Sequence, residues 1–180
     1  MYFCRKYYTM ENIPETIKTN LIGTKHIFEI PTSSEIEFAK RRKIVLEAYD
    51  ILLKKHGGKL IVHNEFLGCD VEITRKVSRK KASNNSVRNW QSTYAILKIT
   101  DVVKYASSGE IQHLPAKAGM QRNAGFSYVI PLRYAFKHPT KPYMNFDVEV
   151  IIGEVVLEQD GQKYVQYSVE LMEIKKADNS

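Results

Sequence analysis

Apolar residues recur at helical spacing between Glu35 and His56. Phe38, Val45, Tyr49, Leu52 and Leu53 fall on one stripe, which predicts a helix with one buried face. Pro31 ends a strand expected at His26–Ile30. Thr32, Ser33 and Ser34 then offer N-cap oxygens, and Gly57-Gly58 stop the helix. Lys40, Arg41, Arg42 and Lys43 sit largely off the stripe. Two short strands are expected next, Lys59–His63 and Cys69–Thr74, joined as a hairpin by the loop Asn64 to Gly68. A second helix is expected over Val87 to Tyr105, carrying Trp90, Ala95, Ile96, Ile99, Val102 and Val103. Thr100 and Asp101 are able to cap a separate start inside it.

Ser107 to Gly125 reads as a long polar loop. After it the period changes to two. Phe126, Tyr128, Ile130, Leu132, Tyr134 and Phe136 alternate with Ser127, Val129, Pro131, Arg133, Ala135 and Lys137, and Pro131 argues for an edge or a bulge. Pro139 and Pro142 mark a turn, and Asp160-Gly161 marks a hairpin between strands expected at Phe146–Glu158 and Gln162–Lys175. The pattern therefore predicts an α+β fold: two main helices followed by a C-terminal antiparallel β-meander, with a smaller hairpin N-terminal to it. The expected organisation is an irregular segment 1–34, one α+β domain over 35–176, and a tail 177–180.

The 180 residues suit one domain with a real core. No run of about 18 apolar residues exists, so no membrane span is expected. The N-terminus lacks the apolar centre of a signal peptide. Cys4 and Cys69 make neither a disulfide framework nor a metal site, and a cytoplasmic protein without cofactors is the plain expectation. The formal net charge of +7 favours polyanionic partners. The charge is densest at Arg75, Lys76, Arg79, Lys80, Lys81 and Arg88, where no acid interrupts it. Trp90 and Tyr94 follow as aromatic rings able to stack on unpaired bases. This cluster is the expected nucleic-acid contact, against the plainer reading of a solvated loop with Trp90 in the core.

Metal-free RNA cleavage needs a base for the 2′-hydroxyl, an acid for the leaving 5′-oxygen and a cation for the phosphorane charge. Glu110, His113, Lys117 and Arg122 bring those residue types into one loop. His138, beside Lys137 and Lys141, is a second candidate. Glu154 is a third, because its strand face otherwise carries Val148, Val150, Ile152 and Val156. Each has a structural alternative: a solvated His113, a turn role for His138, and a strand bulged at Gly153 that turns Glu154 outward. No P-loop, HExxH, GxSxG or CxxC motif is present.

Three segments carry a family resemblance: Tyr167 to Ile174 (YSVELMEI), Gly68 to Thr74 (GCDVEIT) with its basic turn, and the apolar runs Ala95 to Ile99 and Val102 to Ala106. Over residues 60–175 the chain resembles the third type of large polyvalent protein-associated domain of phages and conjugative elements. The resemblance implies a neighbourhood near the barnase–EndoU–colicin–RelE nucleases, which are metal-independent endoribonucleases. It also implies a mobile-element setting in which counter-defence proteins, including inhibitors of CRISPR effectors (anti-CRISPR proteins), are encoded. The chain departs from the pattern after Thr74, where Arg75, Lys76, Arg79 and Lys80 stand in place of a histidine. Three expectations follow: an RNA-directed endoribonuclease, a non-catalytic inhibitor of a host-defence nucleoprotein, or an accessory oligomerisation domain. The sequence leaves open whether the chain is an enzyme, and its oligomeric state.

Overall fold

The computed structural model describes residues 14–33, 37–74, 87–141, 145–159 and 162–176. Strands β1 (Thr16–Asn20) and β2 (Ile27–Pro31) pair antiparallel as a two-stranded sheet. Helix α1 (Phe38–Lys55) leads to the hairpin β3 (Lys59–Asn64) and β4 (Cys69–Thr74). Helices α2 (Trp90–Leu97) and α3 (Ile99–Tyr105) follow, then β5 (Leu114–Pro115), the short helix α4 (Ala118–Ala124), and the strands β6 (Tyr128–Lys137), β7 (Asn145–Gln159) and β8 (Gln162–Lys176). The second sheet runs in the order β3-β4-β8-β7-β6-β5, with every pairing antiparallel except β4 with β8. Among the described residues no helix is long and apolar enough to cross a membrane.

The fold is mixed α and β with largely antiparallel sheets, as the periodicity predicts. The order of elements departs from helices first and strands last. Two hairpins precede α2, and the second of them extends the C-terminal meander through β8. The segment 1–34 is not irregular where it is described. The strand β1 escapes a pattern reading because only Ile17 of its five residues is apolar and buried. The hairpin is fixed by its turn: Leu21 N–H donates to His26 O at 2.9 Å, Thr24 N–H donates to Leu21 O at 3.0 Å, and Gly23 takes φ 75°.

Helix starts also differ from the expected caps. Neither α1 nor α3 has a side-chain cap, so Thr32, Ser33, Thr100 and Asp101 do not serve; Ser34 lies outside the described residues. The Asn89 Oδ1 caps α2 by accepting from Ser92 N at 2.8 Å. The break between α2 and α3 falls at Lys98, whose ammonium donates to Asn20 O at 3.0 Å and Asn20 Oδ1 at 2.9 Å. The span Ser107–Gly125 is not a continuous loop, since it holds β5 and α4.

The helices cover one face of the large sheet. Val45, Tyr49, Leu52 and Leu53 of α1 and Ile96, Leu97, Ile99 and Val102 of α2 and α3 join Val62, Val71, Ile130, Leu132, Val148, Val150 and Ile152 in one core. Val129 and Ile151 alternate to the opposite face and form a small second cluster with Ala116 and Phe126. Two buried polar side chains tie the layers together. Arg41 donates through Nε to Val87 O at 2.8 Å, and through one terminal nitrogen to Pro31 O at 3.2 Å and Ser33 O at 2.7 Å. Asn64 Nδ2 donates to Val103 O at 2.7 Å and Ala106 O at 2.9 Å, while its Oδ1 accepts from Leu67 N at 2.7 Å.

Candidate functional site

Strand register brings together residues that the sequence holds apart. On β7 the in-phase side chains Phe146, Val148, Val150 and Ile152 are buried under the helices, and Glu154 is next in phase. Tyr128 on β6 stands directly opposite Glu154, and Pro115 on β5 stands opposite Tyr128. Directly paired residues share a face, so Pro115, Tyr128 and Glu154 form one row. His113 lies two residues before Pro115, in the same phase. Its Nδ1 reaches Glu154 Oε2 at 3.3 Å.

The two partners differ in access. The Glu154 side chain is 12% exposed and the His113 side chain 51%. Oε2 of Glu154 is shielded from solvent and has no hydrogen-bond partner among the described residues. Its contact with His113 thus has the separation of an ion pair without the alignment of a hydrogen bond. With Nδ1 turned to the carboxylate, the other imidazole nitrogen is the one left for a ligand. Tyr128 is 43% exposed, and Ile111 and Leu114 beside His113 are also exposed. Gly153 does not bulge the strand; the register shift falls at Glu149 and Val150 instead. The Phe126 ring lies against Gly153 where a Cβ would otherwise stand, on the opposite face from Glu154.

The remaining candidates disperse. Arg122 and Lys117 are exposed at α4, and neither forms an ion pair with another described residue. Glu110 lines a separate groove of 380 Å³ at the sheet edge with Gln112, Pro131, Arg133 and Glu149. That groove exists because the chain leaves β6 between the Ser107–Arg133 bridge and the Leu114–Val129 pair. Pro131 lies on that unpaired stretch, where its missing N–H costs no ladder bond.

His138 belongs to the core rather than to a reactive surface. It is buried, packs edge-on against Trp90 at 5.0 Å, and lies 5.0 Å from Phe146. Its Nδ1 accepts from the backbone N–H of Thr140 and of Lys141, each at 3.1 Å, and so closes the turn. Burial, followed by the charge of Lys141, pushes its pKa below the ordinary histidine value. The lone pair a general base would use is therefore engaged in the turn. Trp90 is buried between His138 and Phe146, which removes it as a stacking platform for a base. Arg88 is exposed. Arg75, Lys76, Arg79, Lys80 and Lys81 lie outside the described residues.

Tyr128 and Arg41 are residues whose place the sequence reading missed, beside the misassigned His138 and Trp90. Tyr128 reads as one more apolar position of an alternating strand, and only register sets it beside Glu154. Arg41 reads as part of an exposed basic run, yet it lies four residues before Val45, on the buried stripe. No family model, no curated protein and no solved structure matches the chain.

Proposed function

We propose that the protein acts on RNA, cleaving it without a metal at His113 and Glu154. The observation that carries this reading is the 3.3 Å contact between an exposed histidine and a largely buried carboxylate at an open sheet end. In this reading the free nitrogen of His113 removes the 2′-hydroxyl proton. The 2′-oxygen bonds to phosphorus, the bond to the 5′-oxygen breaks, and that oxygen leaves with a proton from Tyr128 or water. Glu154 acts through His113: it orients the ring and stabilises the imidazolium. The exposed Tyr128 ring offers a face for an unpaired base. The mobile-element setting implied by the resemblance makes a guide RNA of a host-defence complex a fitting substrate.

A second reading is a non-catalytic inhibitor that binds such a nucleoprotein. The exposed Ile111 and Leu114 flanking His113 favour a protein partner there. The test is incubation of the purified protein in EDTA with end-labelled total tRNA and with a CRISPR guide, free and effector-bound. The expected products carry 2′,3′-cyclic phosphate and 5′-hydroxyl ends. His113→Ala should slow cleavage about 10²–10⁴-fold, the usual worth of a general base. Glu154→Gln should slow it less and change its pH profile. Intact RNA in a shifted complex would move the conclusion to the inhibitor. Full cleavage by both variants would sink the site.

A further inference from the structure

A second surface with chemistry of its own lies where the β1–β2 turn meets the C-terminal end of α1. Gly23, Thr24, Lys25 and His26 from the turn and Ile51, Lys54 and Lys55 from the helix line a groove of 950 Å³. Among the described residues no carboxylate lines it. The contrast with other lysines is informative. Lys18, Lys40, Lys59 and Lys104 each stand within ion-pair distance of a glutamate. Lys25 and Lys54 form no ion pair with another described residue.

The groove walls are held in place before any ligand arrives. The Lys55 ammonium donates to Gly23 O at 2.9 Å and so fastens the helix to the turn. Ile22 N–H donates to Leu97 O at 2.9 Å and fastens the turn to α2. Thr24 Oγ1 donates to Leu21 O at 2.8 Å and accepts from His26 N at 3.2 Å, which fixes the position of Lys25. Ile51 gives the groove an apolar lining, and Ile27, 71% exposed, follows directly after His26. Lysines carried on a fixed backbone frame beside apolar surface suit a chain of phosphates carrying flat, unpaired bases.

We infer that this groove binds the phosphodiester backbone of single-stranded RNA, with Lys25 and Lys54 on successive phosphates. The inference deepens the proposed function by giving the substrate strand a second hold, and it rests on that reading for the choice of RNA. The groove shares no element with the His113–Glu154 row, so the two sites are separable by mutation.

The experiment measures anisotropy of a labelled oligouridylate against the full chain at several salt concentrations. The same preparations are assayed for cleavage, and circular dichroism checks that each variant is folded. For single strands each phosphate contact contributes about 0.7 to the magnitude of the slope of log affinity against log salt, through counterion release. The Lys25→Gln/Lys54→Gln variant should therefore lose about 1.4 of that slope and bind several-fold more weakly at low salt. Lys137→Gln, an exposed lysine on a different element, should change neither. An unchanged slope and affinity in the folded double variant would overturn the groove. If the wild type cleaves and the double variant binds and cleaves as well, the groove fails and the catalytic reading stands. If binding depends on Lys25 and Lys54 but no RNA is cut, the groove stands and the catalytic reading fails.

Discussion

Gly153→Ala tests how the open end of the sheet is built. The backbone itself would accept alanine, because Gly153 is not among the glycines with positive φ. The obstacle is the Phe126 ring, whose Cζ, Cε1 and Cε2 would all overlap an added Cβ. Two responses are available. The ring leaves its buried site, losing about 1.5–3 kcal/mol of burial, or it stays and the strand strains, at about 1–3 kcal/mol. Either route gives a loss of roughly 2 kcal/mol, a fall in Tm of about 4–8 °C for a domain of this size. The sharper expectation is a change of sign. Phe126→Ala alone should cost about 3–5 kcal/mol. In that background the clash is gone and alanine is the better strand residue by about 0.5–1 kcal/mol, so Gly153→Ala should be neutral or stabilising. Urea titrations of the four proteins give the coupling directly, provided m is constant. An equal cost for Gly153→Ala with and without the ring would refute the packing argument.

Three further outcomes follow from the described contacts. Asn64→Ala leaves Val103 O, Ala106 O and Leu67 N buried without their partner; at about 1 kcal/mol per net hydrogen bond the loss should be about 3 kcal/mol, read as a lower urea midpoint. Arg41→Lys keeps the charge but cannot present the guanidinium fork to Val87, Pro31 and Ser33; a cost of about 2 kcal/mol or more is expected, and a lysine that stabilises as well as arginine would contradict the three-carbonyl account. For His138 the lowered folded pKa means that the unfolded chain binds the proton more readily. Stability should thus be full above the ordinary histidine pKa of about 6.5 and decline as pH falls through it. His138→Asn supplies an oxygen where Nδ1 accepts, and its urea midpoint should lose that part of the decline between pH 7 and pH 5.

The elements legible in the sequence are those whose own residues bury a stripe or a face. The apolar repeat of α1 and the alternation along β6 and β7 specify themselves locally. The elements missed are defined by partners. β5 is two residues long and exists through its pairing with β6. β1 has one buried apolar residue and is held by β2, its turn and α2. The second helix splits at Lys98, whose ammonium bonds to Asn20, 78 residues away, a partner that local sequence does not show. Arg41 shows a different limit: its position on the buried stripe is readable, but its charge argues against burial until three carbonyls are known to converge there.

The candidate site was half legible for a related reason. Glu154 stands out in the sequence because it continues an apolar phase, and His113 because it lies in a polar stretch rich in catalytic residue types. Nothing in either segment says that they meet. Their contact depends on β7 running on past the last helix-covered residue, Ile152, so that the next in-phase position keeps one side against the core and opens the other to solvent. It depends also on the Leu114–Val129 pairing, which carries His113 to that same end. A carboxylate placed under the helices would be costly, and one placed in free solvent would be screened from the histidine. At the end of the covered face the Glu154 carboxylate is shielded from solvent while the imidazole it faces still reaches solvent. The chemistry proposed for His113 is therefore a consequence of where the helical cover stops. If RNA binds there as proposed, Tyr128→Leu, which keeps an apolar strand residue but removes the exposed ring, should leave the fold intact by circular dichroism and weaken binding of a labelled oligonucleotide by removing the stacking face; unchanged affinity would refute that role of the ring.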